Sequence, residues 1–249
     1  PSETIDGHRI EVAANVSSAA DLSAVLKNDA EGIGLFRSEF IYMGRETLPS
    51  EEEQFNIYTL AIETMSGKRV IIRTLDIGAD KEASAFHLPK EDNPALGLRA
   101  IRISLKRPEI FKVQLRAILR ASAYGKAAIM FPLITSVWEV WKAKEILTEV
   151  QMELDKKGIA YDKQMEIGIM IETPAAALIS DKLAKEVDFF SIGTNDLSQY
   201  TLVVDRTSRN LTDFFNPHHP AVLKLIQMTV ENAHKAGIWA GICGELGAD

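Results

Sequence analysis

Arg37, Arg73, Glu172, Asn195, Asp196 and Cys243 are the residues of this chain whose types and placement suit chemistry. Each follows or closes a short apolar run: Arg37 after GIGLF, Arg73 within VIIRTL, Glu172 after EIGIMI, Asn195 and Asp196 after DFFSIG, and Cys243 at the end of WAGIC. Glu39, Asp76 and Glu245 stand close by in the same segments. A guanidinium fork matches the oxygens of phosphate or carboxylate with two parallel hydrogen bonds, so arginines recurring after such runs point to a bound anion. A lone arginine is more often an ion-pair partner at the surface; recurrence is what favours the anion.

Glu172 and Asp196 offer two hard oxygen ligands, which with waters and a substrate phosphate make a magnesium site. The same acids also stand where helices begin, and there the helix dipole alone stabilises them. Beside the arginines the metal reading is preferred. Cys243 suits either a small core residue or a thiol acid or base, and spacing leaves both open. Histidines 8, 87, 218, 219 and 234 show no metal-ligand spacing, so His218 and His219 are expected as solvated loop residues.

These positions need a scaffold that brings distant segments together. Seven apolar, β-branched runs alternate with helical patterns: Ile10 to Val16, Gly32 to Phe36, Val70 to Leu75, Ala127 to Pro132, Glu166 to Ile171, Asp188 to Gly193 and Trp239 to Cys243. Such alternation predicts βα units and a parallel sheet, and nearly continuous apolar strands predict burial on both faces. Ser50 with Glu53, and Ser136 with Glu139, read as capping boxes. Pro108 and Pro174 suit first helical positions, and Gly125, Gly158 and Gly237 suit helix stops. The stretches Gly78 to Leu98 and Val203 to Pro220 are long enough to be binding loops.

A parallel barrel and a doubly wound sheet both satisfy this pattern. In a barrel the carboxyl ends of the strands share one face, where active sites of that architecture are built. At 249 residues one α/β barrel domain accounts for the chain. Acids outnumber bases 35 to 28, which argues against nucleic acid as a partner. No run approaches the ~18 apolar residues of a membrane span, and residues 1 to 30 lack a secretory pattern, so a cytoplasmic site is expected.

Longer motifs carry a resemblance. GIGLFRSEF (32–40), RTLDIGADK (73–81), NPALGLRAIR (93–102), QLRAILRAS (114–122), IMFPLI (129–134), IMIETPAA (169–176), DFFSIGTNDLSQYTLVVDR (188–206) and ICGELGAD (242–249) occur in one order along the chain. Together they resemble the carboxyl-terminal, phosphoenolpyruvate-binding domain of phosphoenolpyruvate-protein phosphotransferases, enzyme I of the bacterial sugar phosphotransferase system. The resemblance implies a (β/α)8 TIM-type barrel over 1–249, C-terminally truncated after about the seventh strand, without the amino-terminal phosphohistidine domain.

It also implies roles. Arg37, Arg73 and Arg206 would clamp phosphoenolpyruvate, helped by Asn195 and the backbone at Asp196, with Arg99 and Lys81 lining the same pocket. Glu172 and Asp196 would hold Mg2+, and Cys243 would protonate enolpyruvate to pyruvate. The phosphoryl acceptor would be a histidine on the separate domain, serving the histidine-containing phosphocarrier protein, and the protein would form a homodimer. Two rivals share much of this pattern: pyruvate phosphate dikinase or phosphoenolpyruvate synthase, and a non-catalytic phosphoenolpyruvate-binding module. SQYTLVVDR favours enzyme I over the first, and the presence of Cys243 argues against the second.

Overall fold

The computed structural model describes residues 2–78 and 83–248. Two compact units make up the chain: Pro1–Ile129 with Leu147–Met165, and Met130–Ile146 with Glu166–Asp249.

The first unit holds strands β1 (Ala14–Val16), β2 (Ile33–Arg37), β3 (Val70–Arg73) and the start of β4 (Ala127–Phe131), in that hydrogen-bonded order. Its helices are α1 (Asp21–Lys27), α2 (Glu51–Thr64), α3 (Ile101–Lys106), α4 (Pro108–Ala121) and the second half of α5 (Val137–Lys157). Strands β1, β2 and β3 pair in parallel, and Arg37 stands opposite Arg73 in the register. Every residue of β3 is buried, which is what an apolar run covered on both faces requires. Helix α4 turns Ile110, Phe111, Leu115, Ile118 and, among them, Gln114 inward.

The second unit holds the end of β4, then β5 (Glu166–Ile171), β6 (Phe189–Gly193) and β7 (Trp239–Cys243), again in sequence order and parallel where β5, β6 and β7 pair. Its helices are the first half of α5, α6 (Pro174–Leu178), α7 (Ser180–Leu183), α8 (Thr194–Leu202) and α9 (Pro220–Lys235). Ile169, Phe189, Phe190 and Val222 are fully buried at its centre.

Local sequence explains the element ends. Both capping boxes form: Glu53 N–H donates to Ser50 Oγ at 3.1 Å and Ser50 N–H to Glu53 Oε2 at 3.1 Å. At Ser136 and Glu139 the reciprocal distances are 2.9 and 3.3 Å. Pro108 and Pro174 occupy first helical turns, where a missing N–H costs nothing. Gly158 and Gly237 take positive φ just past their helices. Gly125 does not: its φ of 166° is extended, and a side chain there would press on Ile62 of α2 instead.

The first expected strand is corrected. Only Ala14–Val16 joins the parallel sheet, while Arg9–Ile10 pairs with Ser2–Glu3 in a small antiparallel hairpin. Ile10 and Val12 are each 53% exposed, so their alternation marks no buried face. The two long loops are partly ordered by 3-10 turns at Ser84–Phe86, Pro94–Leu96 and Arg209–Phe214. Among the described residues no helix is long and apolar enough to cross a membrane.

Candidate functional site

In the first unit the ends of β2 and β3 carry a cluster of charges. Arg37 and Arg73 close neighbouring parallel strands in register, so they stand side by side. Arg73 is buried and pairs with the buried Glu39 of the turn Ser38–Ile41. Its Nη1 also donates to Asp76 Oδ2 at 3.2 Å, and Asp76 Oδ1 accepts from Arg99 Nη2 at 3.1 Å. Arg37 is half-buried, and its Nε is buried with no hydrogen-bond partner among the described residues. Two of the three guanidiniums, Arg73 and Arg99, are thus held by buried carboxylates, while Arg37 beside them keeps a fork that suits an anion. Ala100, next to Arg99, is held at φ 51° and ψ −126°, a conformation costly for any residue with a Cβ.

Beneath these arginines lies a layer of uncharged hydrogen bonds. Ser38 Oγ donates to the Arg73 carbonyl at 2.7 Å. Gln114 reaches in from α4: its Nε2 donates to Ser38 Oγ at 3.0 Å, and its Oε1 accepts the Leu75 N–H at 3.0 Å. Tyr58, Gln54 and Tyr42 continue the network inward. Burial raises the Tyr58 and Tyr42 phenols well above the ordinary value of 10.0, and keeps both protonated as donors.

In the second unit Glu172 follows β5 and is buried, its Oε1 accepting the Leu133 N–H at 2.7 Å. Leu133 is itself held at a positive φ of 54°. Asp196 lies in the first turn of α8, and its carboxylate comes within 4.8 Å of that of Glu172. Both are hard oxygen donors, so the pair fits magnesium, and these are the residues that would hold it.

Cys243 ends β7, half-buried, with its sulfur accepting from Ser191 Oγ at 3.5 Å. Thr194 Oγ1 donates to the Cys243 carbonyl at 3.2 Å, and Asn195 Oδ1 accepts the Glu245 N–H at 3.3 Å. Two glycines permit this crowding. A Cβ at Gly193 would lie 2.8 Å from Glu172 Oε2, and one at Gly244, whose φ is +99°, would lie 2.5 Å from Thr194 Oγ1.

Each unit thus gathers its own share of the residues singled out from sequence. Arg37, Arg73 and Arg99 group in the first; Glu172 and Asp196, and Cys243 with the first turn of α8 at Asn195, group in the second. Arg206 is exposed after α8, with its backbone N–H on Gln199 Oε1 at 3.1 Å. Lys81 lies outside the described residues. His219 is exposed and caps α9, its Nδ1 accepting the Ala221 N–H at 3.1 Å, and His218 is exposed beside it. Sequence reasoning missed Gln114, Ser38 and Ser191. A polar residue on the buried face of an otherwise amphipathic α4 was the available signal for Gln114.

An α/β fold with arginines and carboxylates at the carboxyl ends of parallel strands defines an anion-binding class, and comparison gives the family. Residues 1–249 match the family model described as PEP-utilising enzyme, PEP-binding domain, and the chain belongs to that family. It is 53% identical over 246 residues to the phosphoenolpyruvate-protein phosphotransferase of Staphylococcus epidermidis, covering 99% of this chain and 43% of that protein. The proteins of the same name from Haemophilus influenzae and Bacillus subtilis are each 52% identical over 249 residues, and the match spans 43% and 44% of their lengths. The chain therefore spans less than half of these relatives. Among solved structures, an aldolase/citrate lyase family protein from Burkholderia cenocepacia J2315 aligns with a TM-score of 0.54 at 14% identity, over 95% of this chain and 80% of that one. That likeness concerns the fold alone.

Proposed function

We propose that the chain binds phosphoenolpyruvate together with Mg2+ and supplies the phosphoryl-donor half of a transfer to a histidine on a separate domain, with release of pyruvate. The observation that carries this reading is the register pair Arg37 and Arg73 at neighbouring strand ends, with Arg73 oriented by the buried Glu39 and Asp76.

Phosphoryl transfer asks a protein for positioning and charge neutralisation more than for covalent help. Arg37 and Arg73 take oxygens of the phosphate or carboxylate by bidentate hydrogen bonds, and Asn195, Arg206 and the backbone at Asp196 assist. Arg99 fixes Asp76, which in turn orients Arg73. Glu172 and Asp196 hold the metal, which when bound offsets charge on the phosphate oxygens.

The bond from phosphorus to the enol oxygen breaks as phosphorus bonds to the acceptor nitrogen, and its electron pair stays on the departing enolate. Cys243 then delivers its proton to the methylene carbon, leaving a thiolate and pyruvate; solvent reprotonates the sulfur. Ser191 donates to that sulfur, which stabilises the thiolate and leaves the S–H to point elsewhere. The whole enzyme would hand the phosphoryl group on to the histidine-containing phosphocarrier protein and would act as a cytoplasmic homodimer, as the resemblance implies.

Calorimetric titration of phosphoenolpyruvate into the chain and into Arg73→Ala, each with and without magnesium, tests the proposal. Binding that strengthens with metal and is lost in Arg73→Ala is expected. Affinity indifferent to both would sink it.

A further inference from the structure

We infer that Gln114 is a positioning residue which sets the spacing of Arg37 and Arg73, and thereby the affinity of the arginine pair for its anion. The inference rests on the reading of those two arginines as phosphoenolpyruvate ligands.

The residues after both arginines converge on one side chain. Ser38 follows Arg37 directly, and its Oγ accepts from Gln114 Nε2 at 3.0 Å while donating to the Arg73 carbonyl at 2.7 Å. Leu75, two residues beyond Arg73, gives its N–H to Gln114 Oε1 at 3.0 Å. A single amide therefore ties the carboxyl end of β2 to that of β3. Gln114 is 1% exposed, so water does not compete for these bonds.

The network has only one workable polarity. Leu75 N–H can only donate, so the amide oxygen must face it and the amide nitrogen must find acceptors. Ser38 Oγ takes one of its protons and Tyr58 OH the other, at 3.2 Å. Each acceptor passes its own proton on, Ser38 to the Arg73 carbonyl and Tyr58 to Gln54 Oε1 at 2.9 Å. Tyr42 gives Gln54 Oε1 a second donor at 3.0 Å. Turning any member leaves a buried donor facing a donor, so the network is rigid and holds one geometry. A well-packed apolar side chain could fill the same volume, but it could not define the distance between two strand ends. Sub-ångström placement matters because bidentate recognition of an anion by two guanidiniums depends on their separation.

The experiment uses the 249-residue chain with Gln114→Met, which keeps volume and removes the hydrogen bonds, and Gln114→Glu. Ile118→Val and Ile118→Ala, on the buried face of the same helix, serve as packing controls that bracket the loss of melting temperature. Phosphoenolpyruvate affinity with magnesium is measured for each, and so are the side-chain Nε–H resonances of Arg37 and Arg73.

In Gln114→Met affinity should fall at least about tenfold and both arginine resonances should shift or broaden. The Ile118 variants should bind within about twofold of the parent and leave the resonances in place. Gln114→Glu keeps an acceptor for Leu75 and, only while protonated, a donor for Ser38 or Tyr58. Its affinity relative to the parent should therefore recover in acid and fall as pH rises. Parent-like affinity and unmoved resonances in Gln114→Met overturn the inference, as does an equal loss in an Ile118 variant of equal melting temperature. An Arg73→Ala chain that binds as tightly as the parent overturns the clamp reading itself. Intact dependence on Arg73 with an indifferent Gln114→Met overturns only the role of Gln114.

Discussion

Asp76 is shared by two arginines: its Oδ2 accepts from Arg73 Nη1 at 3.2 Å and its Oδ1 from Arg99 Nη2 at 3.1 Å, with all three side chains buried. Asp76→Asn removes the charge that both guanidiniums face. Breaking a buried ion pair costs about 3–5 kcal/mol, because the surviving charge stays desolvated. Urea denaturation should show a loss of this size. A phosphoenolpyruvate anion would replace part of the missing charge, so saturating ligand should raise the melting temperature of Asp76→Asn by more than it raises that of the parent. An equal or smaller rise would separate Asp76 from the anion site.

Glu172→Gln tests the carboxylate pair in the second unit. The amide can still accept the Leu133 N–H, so the local fold should hold. What is lost is one charge of the two that face each other within 4.8 Å. Calorimetry with magnesium and with a chelator should show that the metal-dependent gain in phosphoenolpyruvate affinity shrinks by about tenfold, roughly 1.4 kcal/mol. Chelator alone should bring the parent chain close to the variant.

Cys243→Ala should separate binding from turnover. The thiol is not assigned to holding the anion, so phosphoenolpyruvate affinity should stay within about threefold, while pyruvate release should drop by about 10²-fold or more, the usual worth of a positioned acid. The measurement supplies the phospho-accepting domain in trans and follows pyruvate. Undiminished release would remove Cys243 from the proton step, and with it the reason for Ser191 to contact the sulfur.

How much of this was legible beforehand depended on where each signal lies. Capping boxes and helix-start prolines were readable because each is a local preference of the backbone or its caps, and six of the seven strands were placed to within two residues at each end. Ile10 to Val16 misled because its apolar residues alternate as in a strand, whereas Ile10 and Val12 face solvent; the Asp6-Gly7 pair, with Gly7 at φ +84°, was the hairpin signal that should have outweighed them. The charged members of the site were visible because they recur at the ends of successive apolar runs. Gln114 and Ser38 were not, since one amide or hydroxyl in a helix or turn has no sequence mark until the strands it ties are known to be neighbours. Leu133 and Ala100 were hidden for another reason: a positive φ runs against the preference of either residue, so neither identity announces it.

Ala100→Gly should therefore stabilise the protein. Holding a non-glycine residue at φ 51° and ψ −126° costs about 1–3 kcal/mol, and glycine adopts that conformation freely, at an entropic cost of about 0.5–1 kcal/mol. The net gain of about 1 kcal/mol should raise the melting temperature by about 2–4 °C for a chain of this size. A lower melting temperature would mean that the buried methyl of Ala100 contributes more through packing than its backbone costs.

The buried phenols should lower stability in alkali. Desolvation is the main cause that raises Tyr58 and Tyr42 above the ordinary 10.0, outweighing the hydrogen bond from Gln114 to Tyr58 and that between Tyr42 and Gln54, which act the other way. Both groups are neutral in either state below the unfolded pKa, so their contribution is fully present there. Above it the unfolded chain ionises first and releases protons that the folded chain keeps, so stability falls as pH rises past about 10. Following phenolate absorbance and circular dichroism together should show two of the five tyrosines ionising only as the fold is lost. Gln114→Met, which removes one hydrogen bond from Tyr58, should leave that behaviour in place, because burial dominates. Smooth ionisation of all five in an intact fold would contradict the buried network on which the positioning of Arg73 depends.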